Sequence, residues 1–451
     1  MVPPLFQAGM GLSDTASAIG SGGLDPAHLV EECLQRIADW EGQVHAWVLV
    51  DPDRALEDAR RKRQAVVRGE PVGPLHGIPL GVKDIVDVAG FPTRAGSPLR
   101  PDDPAPSDAP LVARLRQAGA IVLGKTVTTE FAYIDPPPTR NPWDRHLRRT
   151  PGGSSSGSAV SVALGMCLGA IGSQTGGSLI RPASYCGVAA CKPSFGRLPL
   201  EGVVPLAAHL DHAGVIARSA ADCEYLVRSL VDLGDAPAAP DLPPPRLGFV
   251  EPFFLDEADE LIRRATRDAV ERLAAGGAQI EVVGLPPGFD EVGRMHRRIM
   301  AVEAAGVHRE SFLARREAFG PKLTALIDEG LATAEADYAA ALVHQRAFRR
   351  GIGDWLARAG AMVMPATDTT APPSLDTTGD ARFQLPWSYA GVPAVCIPCG
   401  LAADEMPAGL QFICPQGAEA SLLRIARWCE RRLDFRALPP LLGEGPHEAE
   451  S

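Results

Sequence analysis

At 451 residues the chain could hold two or three domains, and its formal net charge of −11, with no long basic run, argues against nucleic acid as a general partner. Its start, Met1-Val2-Pro3-Pro4-Leu5-Phe6, lacks the positive segment of a secretory signal, and its longest mostly apolar run, near Ala159 to Ile171, is too short to cross a membrane. Nine cysteines, mostly scattered singly, point to a reducing compartment, so a cytoplasmic location is expected.

Asp25-Pro26-Ala27-His28-Leu29-Val30 opens an amphipathic helix, with Asp25 as N-cap and Pro26 in the first turn. Residues 51–68 read as a second helix rich in exposed charge. Within Gly77-Ile78-Pro79-Leu80-Gly81-Val82-Lys83-Asp84-Ile85-Val86-Asp87-Val88, the part from Leu80 onward reads as a mostly buried strand. A helix from Ala109 to Ala118, followed by strand-like Ile121-Val122-Leu123-Gly124, gives the alternation of an α/β architecture. Pro237 to Pro245 is the clearest linker. Beyond it Arg246-Leu247-Gly248-Phe249-Val250 is strand-like, and residues 256–359 are mostly helical with solvated Arg/Glu-rich faces, so that 246–360 is a candidate subdomain. Met362-Val363-Met364-Pro365 returns to the sheet. The polar stretch from Pro439 to Ser451 is expected to be a poorly ordered tail, and the sequence has no internal repeat.

Two glycine-rich stretches carry the chemistry. Gly152-Gly153-Ser154-Ser155-Ser156-Gly157-Ser158-Ala159 runs straight into apolar Val160-Ser161-Val162-Ala163-Leu164, which a flexible linker would not do, and Gln174-Thr175-Gly176-Gly177-Ser178 follows. Glycine permits positive φ and lets backbone N–H groups converge on an anion or a developing oxyanion. Gly153-x-Ser155-x-Gly157 formally fits the nucleophile elbow of the α/β-hydrolases. That elbow should follow a buried strand, whereas Asp144-Arg145-His146-Leu147-Arg148-Arg149-Thr150-Pro151 is charged and ends in proline.

Lysine is scarce in this arginine-rich chain, which makes Lys83 in its strand a candidate base. Burial of an amine without an acid partner disfavours its charged form and lowers its pKa. The alternative is an ion pair with Asp84 or Asp87. Cys396-Ile397-Pro398-Cys399 is the chain's CxxC, but its setting from Val392 reads as a buried strand. His209 and His212 have no clear third ligand, so no metal and no organic cofactor is expected.

Lys83 in Gly81-Val82-Lys83-Asp84, Ser154 in the Gly-Gly-Ser-Ser run and Ser178 closing Thr175-Gly176-Gly177-Ser178 together resemble the amidase signature family of serine hydrolases. Further segments extend the likeness over roughly residues 10 to 430: Gly124-Lys125-Thr126 with Glu130-Phe131-Ala132, Cys186-Gly187 with Lys192-Pro193-Ser194, Gly391-Val392-Pro393-Ala394 with Pro398-Cys399-Gly400, and Pro407-Ala408-Gly409-Leu410-Gln411. The resemblance implies one large α/β domain over residues 1–435, a mixed central β-sheet covered by helices, with 436–451 as tail. It implies a Ser-cisSer-Lys triad with a cis peptide before Ser154, and an oxyanion hole of backbone N–H groups from Thr175, Gly176 and Gly177. The substrate implied is a small amide or carbamate, cleaved through an acyl-serine intermediate. The A component of tRNA-dependent amidotransferases shares these motifs, and a homodimer is compatible with them.

Two departures from the commonest pattern bear on substrate choice. Gln174 stands where many members have an acidic residue, and Ser178-Leu179-Ile180-Arg181 displaces an arginine by one position. The arrangement resembles the malonamidase-type branch, which makes Arg181 either a bidentate carboxylate clamp or a structural ion-pair partner. Phe131, Tyr133, Trp387 and Tyr389 are candidates for an aromatic-edged pocket on resemblance and position.

Overall fold

A computed structural model describes residues 10–234 and 243–444. The Met1–Phe6 start, most of the Pro237–Pro245 linker and residues 445–451 of the tail lie outside the described residues. Eleven strands form one mixed sheet: β1 Trp47–Val50, β2 Pro79–Lys83, β3 Ile121–Thr126, β4 Gly169–Gln174, β5 Ala189–Lys192, β6 His212–Ala217, β7 Arg246–Val250, β8 Gln279–Val283, β9 Ala361–Pro365, β10 Ala394–Leu401 and β11 Pro407–Ile413. Their order is β1-β3-β2-β4-β6-β5-β10-β11-β9-β7-β8. The β3-β2-β4 group and the β8-β7-β9 group are parallel, and antiparallel pairs join them through the centre. The central strands are buried along their length, as a sheet covered on both faces requires.

The helices start where the local chemistry puts them. Asp25 accepts the N–H of Ala27 to cap helix Pro26–Val44, and Asp51 accepts that of Arg54 to cap Pro52–Val67. The strand expected from Leu80 onward stops at Lys83, where the chain turns to leave the sheet. Residues 256–359 hold the helices Glu260–Ala275, Phe289–Ala314, Pro321–Ala332 and Glu335–Leu356, but β8 interrupts them. β8 pairs on one side only, parallel to β7, and apart from Val283 it is largely solvated, so its sequence carries little of a core strand's apolar signal. Because β7 and β8 complete the same sheet, the candidate subdomain shares the main core. The tail begins with a short helix, Leu441–Glu444. Among the described residues no helix is long and apolar enough to cross a membrane.

Helix Ser156–Ala163 is buried at every position, which explains its small side chains. A Cβ on Gly157 would lie 2.1 Å from the carbonyl oxygen of Ala46 and 2.4 Å from the amide nitrogen of Val127, so backbone meets backbone there. Positive φ, expected of the glycine-rich loops, occurs among them only at Gly152 (78°); neighbours crowd Gly153, Gly157 and Gly177, whereas a Cβ on Gly176 would meet only ordinary contacts.

Candidate active site

β2 and β4 are neighbouring parallel strands, with Val82 opposite Ile171, so Lys83 and the residues after Gly172 emerge at the same sheet edge. The carboxyl ends of parallel strands are where open α/β sheets gather their chemistry. Lys83 is fully buried, and its Nζ lies 2.7 Å from Ser154 Oγ and 2.7 Å from Ser173 Oγ. Among the described residues no carboxylate is within ion-pair distance of it. Asp84, the partner an ion pair would need, holds Lys125 Nζ at 2.9 Å instead. Burial therefore pushes Lys83 well below the usual lysine range, and the more distant charge of Asp211 opposes that fall only in part.

The Gly153–Ser154 peptide is cis. Ser155 ties this loop to β4: its Oγ donates to Ser173 O and accepts from Ser173 N, both at 3.2 Å. Its own N–H donates to Ser178 O at 3.2 Å, joining the two serine-bearing loops.

The 175–178 loop is held by its carbonyls. Thr175 O accepts from His296 Nε2 at 3.1 Å, Gly176 O from Ser388 Oγ at 3.0 Å, Gly177 O from Arg181 N at 2.9 Å, and Ser178 O from Ser155 N. Among the described residues, nothing accepts from the backbone N–H groups of Thr175, Gly176 and Gly177. A loop whose oxygens are occupied and whose N–H groups are left over is built to receive negative charge. Asp211 fixes the loop from outside: its Oδ1 accepts Thr175 Oγ1 at 2.6 Å, while its Oδ2 accepts the N–H groups of Leu206 and Ala207 at 2.8 and 2.9 Å. Burial raises Asp211 to about 6 and lowers His296 to about 4, so the imidazole that donates to Thr175 is neutral.

The remaining candidates fall into two groups. Gln174 is buried, its Oε1 accepting from Leu179 N and Ile180 N and its Nε2 donating to Ser388 Oγ, so it braces the turn behind Ser178. Arg181 is 1% exposed and donates through Nη2 to Gly153 O (2.8 Å) and Thr378 Oγ1 (3.3 Å), which places it beneath the Ser154 loop. Phe131 lines a cavity with Asp87, Arg100 and His308 that none of Lys83, Ser154 or Ser178 borders, and Tyr133 is engaged through its hydroxyl by Arg297. Trp387 is stacked between Phe254 and Trp355, and Tyr389 bonds His344 and the carbonyl of Ala341, so both belong to core packing. Ser173, Asp211, His296 and Ser388 were not candidates from sequence. Ser173 adjoins the loop and was within reach of inspection; the other three come from distant segments. Cys396 and Cys399 are buried in β10, and among the described residues no group of side chains suited to a metal occurs.

The sequence pattern of the Amidase family matches residues 28–423. The "Putative amidase AmiD" of Mycobacterium tuberculosis is 35% identical over 95% of this chain and 96% of its own. The A component of the glutamyl-tRNA(Gln) amidotransferase of Chloroflexus aggregans is 31% identical over 95% of this chain and 97% of its own. Peptide amidase from Stenotrophomonas maltophilia superposes with a TM-score of 0.82 at 29% identity, over 97% of this chain and 99% of that one. With the sheet, the paired serine loops and the buried lysine, these likenesses establish that the chain belongs to the Amidase family, the amidase signature enzymes that hydrolyse amides.

Proposed function

We propose that the chain hydrolyses small-molecule amides, with Ser178 as nucleophile, Ser154 as proton relay and Lys83 as base. The observation that carries this reading is Lys83: a buried amine without a carboxylate, bonded to two serine hydroxyls. Its neutral Nζ takes the proton of Ser154 Oγ as Ser154 takes that of Ser178, and Ser178 Oγ attacks the carbonyl carbon. The oxyanion accepts from the free N–H groups of Thr175, Gly176 and Gly177. Ser154 then delivers a proton to the amine nitrogen, the C–N bond breaks, and water cleaves the acyl-Ser178 ester with the relay in the same roles. Gln174 and Arg181 brace the loops in this reading. The malonamidase-type alternative would turn Arg181 toward a substrate carboxylate, and carbamates would enter the same chemistry through their own C–N bond. A cytoplasmic enzyme fits nine unpaired, buried cysteines.

Initial rates of wild type and Ser178→Ala on a neutral 4-nitroanilide, its carboxylate-bearing counterpart and a matched aryl carbamate test the proposal. Turnover by wild type that vanishes in Ser178→Ala supports it, and turnover surviving the substitution sinks the mechanism. The likeness to the A component of amidotransferases favours one other reading. Under that reading the isolated chain would be silent on all three compounds and active only with its partner proteins.

A further inference from the structure

Of the three residues whose N–H groups are left over before Ser178, Gly176 is the least confined. Thr175 is tied through its hydroxyl to Asp211, and a Cβ on Gly177 would lie 2.3 Å from Gln384 Oε1. A Cβ on Gly176 would meet only Ala381, His296 and Leu385, at 3.5, 3.8 and 3.9 Å, so packing leaves its backbone room to turn. The Thr175 carbonyl supplies the missing constraint. Among the described residues the cis peptide is Gly153–Ser154, so the Thr175–Gly176 peptide is trans, its C=O and N–H lying in one plane and pointing opposite ways. Among the described residues His296 is the one donor to Thr175 O, through Nε2 at 3.1 Å. A carbonyl oxygen only accepts, which puts the imidazole proton on Nε2. That bond on one side of the peptide fixes the direction of Gly176 N–H on the other, and it polarises the peptide so that the N–H donates more strongly. His296 is itself secured. It lies on the buried face of helix Phe289–Ala314 with Val292, Met295 and Ile299. The next residue, Arg297, donates to the Tyr133 hydroxyl and pairs with Glu329 at 2.7 Å, and further along the helix Glu303 Oε1 accepts from His209 Nδ1 at 2.6 Å and from Tyr338 Oη at 2.7 Å.

We infer that His296 is a positioning residue for the reaction: held by its helix, the imidazole aims the Gly176 N–H at the oxyanion, acting through the Thr175–Gly176 peptide. This rests on the amide-hydrolase reading above. Loss of one oxyanion donor lowers kcat by about 100- to 1,000-fold, and a donor left in place but free to swing costs less. Because the bond is worth most when charge develops on the carbonyl oxygen, the effect falls on kcat and spares KM.

Two variants separate aiming from bulk. His296→Phe keeps a planar ring and removes the donor, whereas His296→Gln keeps an N–H at a reach similar to that of Nε2. On a neutral 4-nitroanilide His296→Phe is expected to lose about 10- to 100-fold in kcat with KM within about twofold of wild type, and His296→Gln to recover kcat to within about fivefold. In protein labelled at the glycine nitrogens, the Gly176 amide signal should move in His296→Phe and return toward its wild-type position in His296→Gln, because an amide nitrogen senses the hydrogen bond made by the carbonyl of its own peptide. Melting curves establish which variants fold. A folded His296→Phe with kcat within about twofold of wild type, a loss confined to KM, or equal losses in the two folded variants overturns the assignment. Ring-nitrogen spectra of the wild-type chain need no variant: His296 protonated at Nε2 supports the assignment, and a proton on Nδ1 overturns it. The amide signal also separates the two readings. Wild type silent on amides while the Gly176 signal still answers to residue 296 would sink the hydrolase reading and keep the tether, whereas full turnover by His296→Phe with that signal unmoved would do the reverse.

Discussion

Thr175→Val tests whether the oxyanion loop depends on its outer tether. The hydroxyl donates to Asp211 Oδ1 at 2.6 Å, and valine keeps the shape while removing the donor. A hydrogen bond to a charged group contributes about 1.5–3 kcal/mol, and the carboxylate oxygen left behind is buried. If the bond serves to aim the Thr175, Gly176 and Gly177 N–H groups, the loss appears in the transition state as a fall of about 10- to 150-fold in kcat/KM, carried by kcat. Asp211→Asn adds a second readout. Burial lowers Lys83, and Asp211 is the charge that opposes it, so the amide should lower Lys83 further and move the acid limb of the rate profile to lower pH even as the rate falls. Wild type should show the onset of the same change as Asp211, which burial raises and its hydrogen bonds lower to a net of about 6, with Glu303 adding to the rise, takes up its proton. Initial rates on a 4-nitroanilide from about pH 5 to 9, with melting curves as a check on folding, decide the matter. A folded Thr175→Val within about twofold of wild type in kcat/KM would refute the aiming argument. An unmoved acid limb in Asp211→Asn would refute the electrostatic one.

Arg181→Ala should slow hydrolysis of neutral and carboxylate-bearing amides by the same factor, because the side chain holds the carbonyl of Gly153; a loss confined to the anionic substrate would show a clamp instead. Gly157→Ala should cost about 1–3 kcal/mol or more in urea unfolding, since its methyl would press on the backbone of Ala46 and Val127, and a variant as stable as wild type would contradict that packing. Lys192, fully buried, is lowered by burial from 10.5 to about 7, so between those values the unfolded chain carries a proton that the folded chain has released. Its contribution to stability therefore increases as pH rises through that window, by up to about 5 kcal/mol. Lys192→Met should flatten that part of the unfolding profile, and an unchanged slope in urea titrations at the two ends of the window would count against it.

Local chemistry is what made much of this protein legible from its residues. Asp25-Pro26 and Asp51-Pro52 cap helices because side-chain oxygens satisfy N–H groups two or three residues away. Lys83, Ser154 and Ser178 stood out because a rare lysine and two glycine-flanked serines are unusual in sequence, and the structure gathers them at one sheet edge. Edge strand β8 escaped because pairing on one side, with little burial, leaves a weak apolar pattern. Trp387 and Tyr389 look alike in sequence to Phe131, yet the first two pack in the core while Phe131 borders a cavity, since burial depends on which elements meet them.

The order of residues by itself determined the α/β alternation, the family and the chemical types brought to the site, because these follow from periodicity, capping and short motifs. Only the tertiary structure decided that Asp84 pairs with Lys125 and leaves Lys83 unpaired, that Arg181 faces Gly153, and that Asp211, His296 and Ser388 secure the loop before Ser178. Those contacts join segments far apart in the chain, where no local propensity acts, and they arise from sheet order and from the need of each buried polar group for a partner.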